Sequence, residues 1–257
     1  MIIQTAKKII NDVEDNLGGN MKKITTVLFD LDGTLIPFDQ KEFIESYLYL
    51  IAKKFVPRGY DKDILIKALW DGTGNMVKND GKVSNRDVFK STFAELMEKE
   101  YDEMEDDFME FYEKEFDDVK QTLQEEVDRA EFIKTIKDKG LKVVLATNPI
   151  FPKAAVQTRL NWIGLSVDDF DYVTTFENSH YCKPNLEYYK EIFENIGSKP
   201  EESIMVGNNA LEDMIVSELG VRTFLITDNL ENPEKIDINK FENGNFDDIA
   251  NKVLNIL

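Results

Sequence analysis

Two carboxylates, Asp30 and Asp32, sit two positions apart in Val27-Leu28-Phe29-Asp30-Leu31-Asp32-Gly33-Thr34-Leu35. The apolar run ahead of them predicts the end of a buried strand. Strand residues two apart share a face, so both acids would project from the strand's carboxyl end, where open α/β sheets bind ligands. Like charges held that close are costly unless a cation or a proton separates them. The pair therefore points to a hard metal ion, a shared proton, or a carboxylate nucleophile beside a carboxylic acid. A solvated Asp-Gly turn with two incidental acids is the plain alternative, disfavoured because the apolar run would bury the first Asp.

Three later stretches carry polar groups that could join such a pair. Thr147-Asn148-Pro149 follows an apolar run and offers a hydroxyl and backbone amides able to hold an anionic oxygen, although it also reads as an ordinary turn. Lys183, fixed by Pro184 ahead of a helical pattern, supplies a single positive charge; the plain alternative is a surface lysine at a helix start, where cations are mildly disfavoured. Gly207-Asn208-Asn209-Ala210-Leu211-Glu212-Asp213 ends another apolar run and gathers amides and acids, with Asp213 readable instead as a first-turn helix acid. His180 and Cys182 flank the lysine and are read as bystanders. With a single His and a single Cys, the chain has little material for a zinc site, a Cys-His pair or a Ser-His triad, so acid–base chemistry falls to carboxylates and lysine.

The elements that must position these groups are legible as patterns. Strand 141–146, helix 152–163, a short strand near 172–174, helix 185–196, strand 203–206, helix 210–219 and strand 221–226 alternate behind helix 124–139, and a final helix spans about 246–256. Such alternation predicts an α/β fold, a doubly wound parallel sheet with helices on both faces. The first strand joins that sheet. Between it and the rest lie only helical patterns, at 41–56, 61–70, 84–99 and 102–119, so residues 38–122 read as an all-helical insertion. Residues 71–81, rich in Gly, Asn and Asp, read as a flexible loop without the spacing of a nucleotide-binding phosphate loop. The ten acids within 101–118 read as a solvated face and lack calcium-loop spacing. Residues 1–20 show helical spacing that ends at Gly18-Gly19, and Met21 is an alternative start.

Taken together, these segments resemble the four motifs of the haloacid dehalogenase-like superfamily, in its phosphatase form. Asp30-Leu31-Asp32-Gly33-Thr34 resembles the first, Thr147 the second, Lys183-Pro184 the third, and the stretch from Gly207 to Asp213 the fourth. The resemblance implies a Rossmann-like core over 21–37 and 123–257, a helical cap over 38–122 and a separate amphipathic helix or leader over 1–20. It implies that Asp30 attacks phosphorus and that Asp32 protonates the leaving group and then activates water. Thr147, Asn148 and Lys183 would bind the phosphoryl group, with Lys183 also neutralising the nucleophile. Asp30, Asp32 (through its backbone carbonyl), Asn208 and Asp213 would hold Mg2+. Asn208 departs from the pattern, an amide standing where the family has a carboxylate; the lost charge should weaken the metal site and shift its burden towards Asp213 or Glu212. Phe38, Asp39, Lys78, Asn79 and Arg86 are candidates for substrate contacts.

Composition limits the partners. With 31 basic against 50 acidic residues and a formal charge of −19, the 257-residue chain is ill suited to nucleic acid or anionic membrane surfaces. No apolar run spans a bilayer, residues 1–20 lack a secretory pattern, and the lone cysteine fits a reducing interior, so cytoplasm is expected. The expected activity is magnesium-dependent hydrolysis of a small phosphorylated metabolite by a monomer or homodimer. A phosphomutase acting on a sugar phosphate, a haloacid dehalogenase and a non-catalytic phosphate-ligand-binding protein are the rivals.

Overall fold

The computed structural model describes residues 23–99 and 101–257; the helix read over 1–20 and the start at Met21 lie outside them. Six parallel strands form one sheet in the order β3-β2-β1-β4-β5-β6. They are β1 (Thr26–Phe29), β2 (Lys142–Leu145), β3 (Tyr172–Val173), β4 (Ser203–Gly207), β5 (Arg222–Ile226) and β6 (Glu242–Gly244). Alternation along the central strands fills both faces. Val27, Phe29, Val143, Leu145, Ile204 and Val206 pack into one core, and Leu28, Val144, Ala146 and Met205 into another on the opposite side. A sheet apolar on both faces must be covered on both faces, which is why the parallel arrangement carries helices above and below.

The order places the topological switch at β1, between β2 and β4, where connections leave in opposite directions and a crevice opens. Register makes that crevice a site: Phe29 is level with Leu145 on one side and Val206 on the other. The residues that follow these three positions therefore emerge at one rim. The doubly wound α/β fold is thus as expected.

Between β1 and β2 the chain forms α1 (Gln40–Phe55), α2 (Lys62–Val77), α3 (Asn85–Met97), α4 (Glu105–Glu113) and a 3-10 segment, Glu115–Thr122. Side chains of Asp39, Asp61 and Ser84 accept backbone N–H bonds at the starts of the first three. The two passages into and out of this insertion lie side by side: Phe38 bridges Leu123, and the Gln124 N–H donates to the Pro37 carbonyl at 3.0 Å.

Three expectations are corrected here. Residues 71–77 are not loop but the last two turns of α2, because Gly72 lets that helix close on α3; a Cβ there would come within 2.7 Å of the Phe89 ring. The single helix over 102–119 is broken at Lys114, and the tighter turn that follows brings Asp117 to the indole N–H of Trp162 at 2.8 Å. The helix expected from 124 begins only at Ala130, because residues 123–124 are held by the Phe38 and Pro37 pairing.

On the core side follow α5 (Ala130–Asp138), α6 (Lys153–Asn161), α7 (Leu186–Ile196) and α8 (Phe246–Ile256). The α-helix read over 210–219 is a 3-10 segment, Met214–Leu219, behind a turn. Strand β6 was not anticipated, since Glu242-Asn243-Gly244 is a half-exposed edge with no apolar alternation. Among the described residues no helix is long and apolar enough to cross a membrane.

Candidate functional site

The first residue past β1 is Asp30, whose N–H continues the ladder to the Val206 carbonyl at 2.9 Å. Its carboxylate accepts from Lys183 Nζ at 2.7 Å and from the Thr34 hydroxyl at 3.3 Å. Lys183 is 2 % exposed and also donates to Asp213 Oδ1 at 2.6 Å. Burial works against its ammonium, but Asp213 and Asp30 outweigh that and hold its pKa well above the ordinary lysine value. It is therefore a fixed buried cation between two acids, and the reading of a surface lysine at a helix start is set aside. Burial pushes Asp213 up to about 6 against the pull of Lys183. Its second oxygen accepts from the Asn209 N–H at 2.9 Å, so it is no ordinary first-turn helix acid.

Asn208 closes this side of the rim. Its Oδ1 accepts from the Thr34 hydroxyl at 3.1 Å and its Nδ2 donates to the Asn229 carbonyl at 2.7 Å. Gly33 lies against that amide with φ +76°; a Cβ there would fall 2.2 Å from Asn208 Nδ2, so the turn after the acid pair excludes any side chain.

Thr147 and Asn148 come from the end of β2. The Thr147 carbonyl accepts from Thr174 Oγ1 at 2.7 Å and from the Tyr188 hydroxyl at 2.9 Å, which fixes the turn with the buried threonine facing the cavity. Asn148 Nδ2 donates to Glu212 Oε2 at 3.2 Å. Burial pushes the Glu212 carboxyl up to about 7.

Asp32 has a partner that the sequence reading missed. Arg159, fully buried on α6, donates from Nη1 to Asp32 Oδ2; its Nε bonds the Ala155 carbonyl at 3.2 Å and its guanidinium lies 4.6 Å from the centre of the Phe151 ring. Burial raises the Asp32 pKa, with Arg159 pulling against it. A signal was present: Arg159 stands at i+4 from Ala155 on the buried side of its helix, where a lone charge needs a partner.

Asp30, Asp32, Thr147, Asn148, Asn208 and Asp213 all line one cavity of about 320 Å3 between the sheet rim and the insertion. Among the described residues, three buried side-chain polar atoms have no partner: Asp32 Oδ1, Asn148 Oδ1 and Arg159 Nη2. Two belong to cavity-lining residues and the third to the partner of Asp32. Unmet buried polar atoms are uncommon, and these three lie at or directly behind the rim that carries Asp30 and Asp32.

Of the candidate substrate contacts, Phe38 lines the cavity. The other four do not. Asp39 caps α1, Lys78 ends α2 in the open, Asn79 donates to the Val83 carbonyl and to Asn85 Oδ1, and Arg86 pairs with Glu105. His180 bonds Glu191, and burial pushes the Cys182 thiol up to about 12, so neither serves the rim.

The fit to a cation follows from the donors. Asp30, Asp213 and Asn208 present hard oxygens, as magnesium requires. Among the described residues no group of three or more His, Cys, Asp or Glu is arranged to hold a metal, and Asn208 offers an amide oxygen where Asp30 and Asp213 offer carboxylates. The donor chemistry suits magnesium, with fewer charges than a three-carboxylate cage.

The chain matches the family model described as haloacid dehalogenase-like hydrolase over residues 24–219. It is 27% identical over 208 residues to a pyrophosphatase, PpaX, of Bacillus cereus (strain G9842), covering 80% of this chain and 84% of that one. Among solved structures, a HAD phosphatase from Thermococcus onnurineus aligns with a TM-score of 0.54 at 22% identity, covering 90% of this chain and 98% of its own. The putative HAD-hydrolase YfnB from Bacillus subtilis, bound to magnesium, aligns with a TM-score of 0.55 at 19% identity over 91% of this chain and 100% of its own. At such identities these two structures speak to fold alone. The motif-bearing segments fall within the matched span, and on that match the chain belongs to the haloacid dehalogenase-like hydrolases.

Proposed function

We propose that this protein is a magnesium-dependent phosphomonoesterase working through an aspartyl-phosphate on Asp30. The observation that carries the reading is the placement of Asp30: a carboxylate fixed by Lys183 and Thr34 at the rim, facing a cavity it shares with Asp32 and Thr147.

Asp30 is the nucleophile. With Oδ1 held by the ammonium and Oδ2 by a hydroxyl, the carboxylate is oriented before substrate arrives, which removes an entropic part of the barrier. Lys183 balances the charge of Asp30 and Asp213 and brings the positive charge an incoming phosphoryl group needs. The Thr147 hydroxyl and the backbone N–H of Asn148 bind phosphoryl oxygens.

Asp32 is the acid and then the base. Burial raises its pKa against the pull of Arg159; in its protonated form it gives a proton to the leaving alkoxide, and the carboxylate so formed takes one from the water that cleaves the intermediate. Arg159 holds one Asp32 oxygen and leaves the other without a partner, ready for this exchange. Mg2+, held by Asp30, Asn208, Asp213 and the Asp32 backbone carbonyl, would supply charge stabilisation on the transferring group. Residues 38–122 act as the cap over a core formed by 21–37 and 123–257, and exclude water while the phosphoryl group moves.

The test is phosphate release from a panel of phosphorylated metabolites that includes pyrophosphate, with and without magnesium, using Asp30→Asn as the blank. Metal-dependent release by the native protein alone is expected. Equal release by the variant would remove Asp30 as nucleophile.

A further inference from the structure

The cavity wall opposite the acids is made by the insertion, and its chemistry is one-sided. Tyr47 reaches it from α1, Trp70, Thr73 and Val77 from α2, and Phe89 from α3. Residues 70, 73 and 77 lie three and four apart and so share one face of α2. That face is incompletely covered, with Trp70 50 % and Val77 44 % exposed. Large apolar side chains turned to a polar cleft and left about half-exposed mark a binding surface.

Charge is distributed the other way. Asp30, Asp32, Glu212, Asp213 and Glu231 line the cavity, while among the described residues no lysine or arginine does. The cations just behind the acids, Lys183 and Arg159, are already paired with Asp30 and Asp32. A substrate carrying a second phosphate or a carboxylate on its leaving group would bring that charge against aromatic rings and further acids. Desolvating an ion without a partner is costly.

We infer that the substrate is the monophosphate ester of an uncharged, mainly apolar alcohol, packed by its apolar part against Trp70, Val77 and Phe89. This rests on the phosphatase reading above and specifies its substrate class. Size agrees: about 320 Å3 is at the low end of the roughly 300–1,000 Å3 of small-molecule sites. Pyrophosphate and carboxylate-bearing esters such as phosphoglycolate are disfavoured by the same wall.

The experiment is a series of n-alkyl monophosphates, methyl to hexyl, which share one type of leaving alkoxide and differ in apolar length. kcat/KM is expected to climb by up to about fourfold per methylene until the cavity is filled. Pyrophosphate and phosphoglycolate should fall about tenfold or more below butyl phosphate. Trp70→Ala, half-exposed and apart from the reacting groups, should flatten the series, with the loss in kcat/KM growing from methyl to hexyl phosphate. Thr73→Lys should raise phosphoglycolate relative to butyl phosphate. A flat series in the native protein, or pyrophosphate as the best substrate, overturns the inference. If no ester is hydrolysed, the phosphatase reading fails by itself. The wall is then read from calorimetric binding of n-alkylphosphonates with magnesium, where affinity rising with length upholds the inference and equal affinities overturn it.

Discussion

The two walls of the cavity obey opposite rules. The sheet wall is a dense polar net in which Lys183, Thr34 and the Asn209 amide satisfy every carboxylate oxygen of Asp30 and Asp213, with Asn208 tied in through Thr34. The insertion wall is apolar and aromatic, and part of it faces solvent. Polar groups at strand ends are fixed by the sheet register to within a fraction of a residue, which suits them to chemistry. Side chains on packed helices can be exchanged without disturbing that register, which suits them to choosing the substrate. Substitutions on the two walls should therefore fail differently, the first in turnover and folding, the second in selectivity.

The largest effect belongs to the nucleophile. Asp30→Asn should lower kcat by at least about 10^3-fold, as loss of a member of a catalytic unit does, with no matching change across the alkyl series bound as phosphonates. Steady-state and binding measurements on the same variant would show whether chemistry and selectivity separate as the two walls suggest.

Lys183→Met attacks the polar net itself. It leaves Asp30 and Asp213 buried without their cation, and breaking a buried pair from one side costs about 3–5 kcal/mol. Urea unfolding should register this as a lower midpoint with an unchanged slope. A stability loss no greater than that of Trp70→Ala would mean the sheet wall is not the stiffer of the two.

Next comes the link between Asp32 and Arg159. Asp32→Asn should cost about 10^2–10^4-fold in kcat, the usual worth of a general acid–base group, and less with a nitrophenyl leaving group that departs without a proton. If Arg159 acts by holding Asp32, Arg159→Met should lower kcat in the native background and add little on top of Asp32→Asn. Full additivity of the two substitutions would instead make Arg159 a plain packing residue of α6.

How much of this was readable from the sequence follows the same division. The sheet wall was legible because Asp30, Thr147 and Asn208 each follow an apolar strand pattern, and register then forces the three to one rim. Arg159 was missed because its role depends on helix α6 lying beside the turn at Asp32, a tertiary fact that spacing within one segment does not carry. The insertion wall was nearly unreadable. Lys78, Asn79 and Arg86 are candidates by their place at the hinge or in the cap loop, yet the cavity takes Trp70, Thr73 and Val77, from a stretch partly read as loop. Glycine and asparagine punctuate a chain on average, but the fit of Gly72 against Phe89 overrides that tendency.

Asn208 offers the finest test, because it sits where the polar net and the proposed metal compete for one side chain. A carboxylate there would add charge to the cation's oxygen donors, yet only an amide can both accept from Thr34 and donate to the Asn229 carbonyl, 2.7 Å away. Asn208→Asp would set an oxygen against that carbonyl, and an unmet or repelled buried acceptor costs about 1–3 kcal/mol. The variant should therefore melt earlier than the native protein without metal. The added charge should tighten magnesium binding on the order of tenfold, so the gap in melting temperature should narrow as magnesium is raised. A gap that stays constant across the titration would show that position 208 serves the fold of the rim and has no part in holding the ion.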